Sequence, residues 1–216
     1  MKKLIILLVF SFPGLMLHAQ KKIAELTLVY DATVTTGNSQ PRMADAFDGA
    51  KTTVYLKGHL SRSEMSSALF SSTTIHDART GNAVVLREVS GQKLLIRMNA
   101  ENMEEKNNRY KGITFTNTGE TKDIAGYHCL KAEARLKDGS TFTVYYTPEI
   151  LPENREYDYQ FRELNGLPLE YELVQGQLKI RYTVSRISMN PVPASKFDIP
   201  RTGYREMTYA ESKKMN

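Results

Sequence analysis

A chain of 216 residues with 41% hydrophobic and 25% charged side chains has the size of one ordinary globular domain, since domains run to roughly 100–200 residues. A single cysteine excludes an intrachain disulfide and any cysteine-built zinc or iron–sulfur centre. The net charge of +5 is dispersed, without the clustered basic stripe that nucleic-acid binding requires.

The first segment differs in kind from the rest. Lys2 and Lys3 precede the apolar run 4–12 (LIILLVFSF), which gives way to Pro13-Gly14 and then to Leu17-His18-Ala19 before Gln20. A basic start, a short apolar stretch and a small residue before the cut describe a secretory signal peptide, with cleavage expected after Ala19. A membrane anchor needs about 20 apolar residues, and residues 4–17 are too few and are interrupted by Pro13-Gly14. The expected address is therefore periplasmic or extracellular. The expected organisation is a signal peptide over 1–19, one domain over 20–208 and a short tail over 209–216.

After residue 20 the dominant period is two. Residues 24, 26, 28, 30, 32 and 34 are apolar or aromatic, and their neighbours are mostly Glu, Thr and Asp. Successive strand side chains point to opposite faces, so this is a long strand with one buried face. The pattern recurs at Leu94/Ile96/Met98, at Phe142/Val144/Tyr146, at Leu167/Leu169/Tyr171/Leu173 and at Leu178/Ile180/Tyr182/Val184. Past Ser185 the apolar phase slips to Ile187 and Met189, which predicts a β-bulge near Ser185-Arg186. Turn signals at 79–82, 90–92, 137–140 and 175–176 favour hairpins over crossover helices. Helices are expected over 99–108 with Asn99 as N-cap, over 43–49, and over 153–164 after Pro152. Pro191 and Pro193 end the last long strand. The tail's Phe197, Ile199 and Tyr204 are expected to fold back onto the sheet, with 209–216 frayed or weakly helical. The fold class is mainly β (α+β), an antiparallel sheet of nine to eleven strands with two or three short helices.

Chemistry is sparse in the pattern. There is no G-x-S-x-G, no phosphate-binding G-x-x-x-x-G-K and no H-E-x-x-H, and the S-x-x-K spacing lacks suitable partners. His128 and Cys129 are adjacent, and adjacent strand residues face opposite ways, so they do not meet as base and nucleophile. By phase His128 belongs with Leu130, Ala132 and Ala134 on the apolar face, and Cys129 with Lys131 and Glu133 on the polar one. The remaining histidines of the mature chain, His59 and His76, lie in separate segments without metal-ligand spacing. No cofactor or metal is expected. Tyrosine carries more information, with 12 Tyr and no Trp. If the sheet curves, Leu28, Tyr30, Phe142, Val144, Tyr146, Ile180 and Tyr182 line an apolar concavity tipped with hydroxyls, the usual make-up of a small-ligand site. The simpler reading of the same residues is core.

Several segments taken in order carry a resemblance. Tyr55-Leu56-Lys57-Gly58, Arg62-Ser63-Glu64-Met65, Ile75-His76-Asp77 and Gly91-Gln92-Lys93 are followed by Gly126-Tyr127-His128-Cys129, by Tyr145-Tyr146-Thr147-Pro148-Glu149-Ile150 and by Asn165-Gly166-Leu167-Pro168-Leu169-Glu170. This order resembles secreted Gram-negative proteins of the GLPGLI group, which look like the lipoprotein-carrier (LolA-like) superfamily, although the namesake loop here is one glycine short. The resemblance implies an open, strongly curved antiparallel half-barrel with short helices over its concave face. It implies no catalytic residues. The expected function is a non-enzymatic module binding an apolar or lipid-like molecule in the concavity; the alternative is a structural or interaction protein supporting an envelope complex. No nucleic-acid partner is expected.

Overall fold

The computed structural model describes residues 20–34, 48–175 and 178–214. The export segment lies outside the described residues, as do the turn residues 176–177 and all but the end of the helix expected over 43–49. In chain order the strands are β1 (Lys21–Ile23), β2 (Glu25–Val34), β3 (Lys51–Lys57), β4 (Leu60–Ser66), β5 (Phe70–Asp77), β6 (Asn82–Val89), β7 (Gln92–Met98), β8 (Thr114–Ile124), β9 (Tyr127–Arg135), β10 (Thr141–Thr147), β11 (Ile150–Pro152), β12 (Leu167–Gln175), β13 (Leu178–Ser188) and β14 (Arg205–Thr208). Helix α1 (Ala100–Asn107) follows β7, and α2 (Tyr209–Lys213) follows β14. The described strands thus outnumber the nine to eleven read from periodicity.

Twelve of these strands form one open sheet in the order β14-β7-β6-β5-β4-β3-β2-β13-β12-β10-β9-β8, antiparallel except at β14–β7; β1 and β11 form a separate parallel pair. The chain runs outward from the centre through β2 to β7. It then crosses to the far edge at β8 and returns to pair β13 with β2. That crossing dictates the shape. From β7 to β8 there are ten neighbour steps, or roughly 48 Å across a flat sheet at about 4.8 Å each. The link is residues 99–113, largely helical, and at 1.5 Å per helical residue it reaches only about 36 Å. The sheet must therefore curl toward the link, and the concave face is the one α1 lies on.

Local sequence explains the ends of α1. The Asn99 side chain accepts the Asn102 N–H at 2.9 Å while the Asn102 side chain accepts the Asn99 N–H at 3.3 Å, a reciprocal cap at the expected residue. The bulge also falls where the phase slip put it: Val184 pairs with Tyr30 but Arg186 with Val29, leaving Ser185 as the extra residue. The helix expected over 153–164 does not form. Two 3-10 turns, Arg155–Tyr157 and Tyr159–Phe161, take its place. Asn154 accepts the Glu156 N–H at 3.1 Å and Asp158 the Gln160 N–H at 3.0 Å, so each short polar side chain stops one turn and starts the next.

This segment closes one half of the concave face. Phe161 and Leu164 are buried against Ala132, Val144 and Tyr146. An aromatic chain runs Phe142–Phe161–Tyr171–Tyr182 with centroid spacings of 6.3, 4.8 and 5.0 Å, and Tyr30 joins it edge-on to Tyr171 at 5.7 Å. Arg155 braces the segment from beneath, donating to the carbonyls of Arg162 at 2.7 Å and Leu164 at 2.5 Å. Gly166 brings it down onto β10: a Cβ there would lie 2.4 Å from the Thr147 carbonyl oxygen and 2.6 Å from a Tyr146 ring carbon. Backbone cannot yield as a side-chain tip can. Gly166→Ala is therefore expected to lower stability by about 1–3 kcal/mol, read as a reduced urea midpoint at unchanged slope; a midpoint equal to wild type would show that the approach is not constraining.

Candidate binding site

A large cleft is built by the C-terminal arm. Pro191 and Pro193 take the chain out of the ladder, and the Val192 N–H donates to Glu25 Oε2 at 2.7 Å. Phe197 and Val192 then pack on Ile75, with Tyr55 and Leu60 beside them, and Tyr204 reaches the cluster Val84, Leu86 and Leu95. These are outer-face positions. β14 next pairs with the edge of β7, and Met207 and Tyr209 join Val85, Ile96 and Met103 on the inner face. The arm thus wraps the sheet edge from outside to inside. Between it and the ends of β5–β7 lies a groove of about 1180 Å³, whose apolar walls include Leu60, Ile75, Val84, Phe197, Ile199 and Met207. The ion pairs Arg97–Glu206 (3.0 Å) and Lys213–Glu105 (2.6 Å) clasp the arm. All four side chains are about half exposed or more, so each pair stabilises by less than about 1 kcal/mol. Ile199, expected to pack back, stays 38% exposed at the groove; Phe197 and Tyr204 do pack as expected.

A second, smaller space of about 150 Å³ lies on the inner face, between β3–β5, α1 and residues 156–159. Its floor interrupts the apolar rows of the inner face. The cross-strand row Leu28, Val54, Ser63, Thr74, Val85 and Ile96 is apolar at both ends and hydroxylic in the centre. The neighbouring row places Ser61 and His76 between Leu56 and Ala83. His76 is 3% exposed, and neither ring nitrogen has a hydrogen-bond partner; the buried Tyr157 hydroxyl also lacks one. Burial depresses the His76 pKa, against a smaller opposing pull from Glu156 and Asp77. Asp158 keeps some exposed surface as a residue, but its carboxyl is desolvated, which pushes its pKa up to about 6 against the lowering effect of the Gln160 N–H. Unpartnered buried polar groups cost about 1–3 kcal/mol each, so this corner of the inner face opposes folding.

The seven residues expected to line an apolar concavity are not among the lining residues of either space. Leu28 and Tyr30 sit in the central core, with Tyr157 over them and the Tyr30 hydroxyl donating to the Pro168 carbonyl at 2.9 Å. Phe142, Val144 and Tyr146 are grouped under Phe161 and Leu164. Ile180 packs with Ala32, Ala50 and Tyr182. Sequence reasoning missed Ser61, Ser63, Thr74 and His76, whose signal was the loss of apolar alternation between two regions that keep it.

His128 and Cys129 do face opposite ways, but with burial reversed. Cys129 is fully buried, its thiol pushed up to about 11 by desolvation and donating to the Tyr127 carbonyl at 3.4 Å. His128 is exposed and 3.1 Å from Asp123. The reason is tertiary: the Cys129 side of β9 shares a buried cluster with Ile124 and with Ile23 and Ile150 of the β1–β11 pair, which the strand's own alternation cannot show.

A family model described as a domain of unknown function, DUF4412, matches residues 41–155. No curated protein matches the chain. Among solved structures, PNGF-II in two crystal forms aligns with a TM-score of 0.52 in each, at 13% and 12% identity, covering 88% and 89% of this chain. The chain spans only about a third of the PNGF-II length, 32% and 33%, and at this identity the likeness is one of fold alone. A beta-barrel-like protein of the domain of unknown function DUF1849 from Brucella abortus aligns with a TM-score of 0.38 and 10% identity, over 77% of this chain and 98% of that one; nothing is concluded from a likeness at that level.

The desolvated carboxylate makes a signed prediction. With its folded pKa raised from 3.8 to about 6, Asp158 holds a proton in the folded state that the unfolded state releases, so its contribution to stability falls as pH rises from 3.8 to 6 and is least favourable above that window. Asp158→Asn keeps an acceptor for the Gln160 N–H and removes the charge. The variant is expected to be more stable than wild type at about pH 7.5, by up to about 3 kcal/mol, with the gap closing toward about pH 4. Denaturant midpoints across that range test it, and a gap that does not change with pH would show the carboxyl to be solvated.

Proposed function

The chain belongs to the DUF4412 family, and we propose that it is an exported binding module, without catalysis of its own, that holds one apolar or lipid-like molecule. The observation that carries this reading is the edge groove. Its volume of about 1180 Å³ is somewhat above the roughly 300–1,000 Å³ usual for small-molecule sites. Its lining combines apolar side chains, Leu60, Ile75, Val84, Phe197, Ile199 and Met207 among them, with polar and charged ones that include the pairs Arg97–Glu206 and Lys213–Glu105. An elongated molecule with an apolar body and a polar end matches that distribution. The concavity first considered for this ligand is less suited, because residues 155–166 already cover the apolar half of it. The groove's outer wall is the wrapped arm, four residues of parallel strand and a five-residue helix. Such an element can swing away at small cost, which gives a bulky ligand a way in. The signal-peptide pattern of residues 1–19 supports export, and the ordered motifs shared with secreted carrier-like proteins support the ligand class.

Titrating the mature chain with cis-parinaric acid, read by fluorescence, is expected to give saturable binding. Ile199→Asp and Met207→Asp place a charge on the groove wall and are expected to weaken it about tenfold or more. No saturable binding, or binding unchanged in both folded variants, would remove the groove from consideration. Export has its own readout: the intact mass of protein recovered from the periplasm of a Gram-negative host is expected to correspond to a chain starting at Gln20, and a chain retaining residues 1–19 would contradict the address.

A further inference from the structure

The small inner cavity is a second site, independent of the edge groove. Its floor carries Ser61, Ser63, Thr74 and His76, and its lid carries Tyr157 and Asp158. Three features set it apart from a packing defect. A void left by imperfect packing is lined by apolar groups and stays dry, whereas this one is lined by hydroxyls, an imidazole, two carboxylates, two cations and an amide as well as by Val54 and Met103. His76 is almost wholly buried and lines the cavity with both ring nitrogens unpartnered, and the buried Tyr157 hydroxyl is unpartnered beside it. Finally, the Asp158 carboxylate receives one hydrogen bond, from the Gln160 N–H, and makes no ion pair among the described residues. Groups this costly to bury persist where a ligand completes them.

The charge pattern selects the ligand. Arg62, the guanidinium on the rim, is already engaged by Glu64 and by the Lys196 carbonyl at 2.8 Å. Glu156 lies 3.5 Å from Arg162. Lys106, on the helix wall, makes no ion pair among the described residues; the residue keeps exposed surface, but desolvation of its ammonium, with Arg87 nearby, lowers its pKa. The unmet charges at the cavity are therefore the Asp158 carboxylate, with Tyr157 and Tyr159 also among the lining residues, and the Lys106 ammonium on the helix wall. A carboxylate recognises an ammonium group through a charge-assisted hydrogen bond. We propose that this cavity binds a compact ammonium-bearing molecule, its nitrogen on Asp158 and its body against Ser61, Ser63, Thr74 and His76. The volume of about 150 Å³ is of the order that takes up one benzene-sized molecule. A longer polyamine or a lipid chain does not fit.

Calorimetric titration of the full mature chain with butylamine, 1-butanol and 4-aminobutyrate tests the assignment. Butylamine is expected to bind saturably in the millimolar range, 1-butanol not to bind, and Asp158→Asn to weaken butylamine about tenfold or more. Because that variant is expected to be at least as stable as wild type, lost binding is not lost folding. The zwitterion reads the Lys106 wall. Binding as tight as butylamine that weakens in Lys106→Met extends the site to amino acids, and weaker binding restricts it to simple amines; both support an ammonium site. Equal binding of butylamine and 1-butanol, butylamine binding unaltered in folded Asp158→Asn, or no saturable binding of any of the three would overturn it. Ile199→Asp leaves this cavity untouched, so failure of the groove and failure of the cavity are separately visible.

Discussion

A short link between two distant sheet edges is the constraint from which the rest of the architecture follows. Residues 99–113 must join β7 to β8 across ten strand spacings, and they can do so only if the sheet curls. Curling creates a concave inner face. The chain covers it with its own residues: Met103 of α1 at one wing, and Tyr157, Phe161 and Leu164 at the other. The aromatic chain from Phe142 to Tyr182 joins that cover to the strands beneath it. The close approach of Gly166 to Thr147 sets how tightly it lies.

Covering is uneven, and the unevenness is informative. Where the inner rows are apolar they pack; where they turn to Ser61, Ser63, Thr74 and His76 a space remains. Buried polar groups oppose folding unless something satisfies them. A protein stabilised by its apolar rows on either side can tolerate such a patch in the middle. The same logic separates the two spaces chemically. The inner cavity is small, has Ser, Thr and His on its floor and is framed by strands, α1 and two short turns, while the edge groove is large, mixed in its lining and bounded on one side by an arm clasped by two exposed ion pairs.

Elements governed by neighbours in sequence were readable from the residues. The Asn99 cap, the extra residue at Ser185 and the hairpin turns depend on local chemistry and on period-two phase. The phase of β2, β7, β10, β12 and β13 was likewise visible, because their buried faces are apolar. Strands β4 and β5 escaped notice because their inner positions are Ser, Thr and His, which do not alternate with their polar outer neighbours. The segment after Pro152 read as a helix, yet Asn154 and Asp158 divide it into two turns. Their side chains compete for the backbone N–H groups that an α-helix would use.

Sequence alone settled that this is a mainly antiparallel β protein without a disulfide, since one cysteine and a pervasive period of two leave little else. Tertiary structure decided which apolar residues are core and which face a space. Tyr30, Val144 and Ile180 alternate just as a ligand lining would, and only the fold-back of residues 155–166 and the neighbouring strands show that protein already occupies their surroundings. It also reversed His128 and Cys129, because the β1–β11 pair packs with Cys129 from a distant part of the chain. Alternation reports that a strand has two unlike faces. What lies against each face is a matter of long-range contact, and no local pattern encodes it.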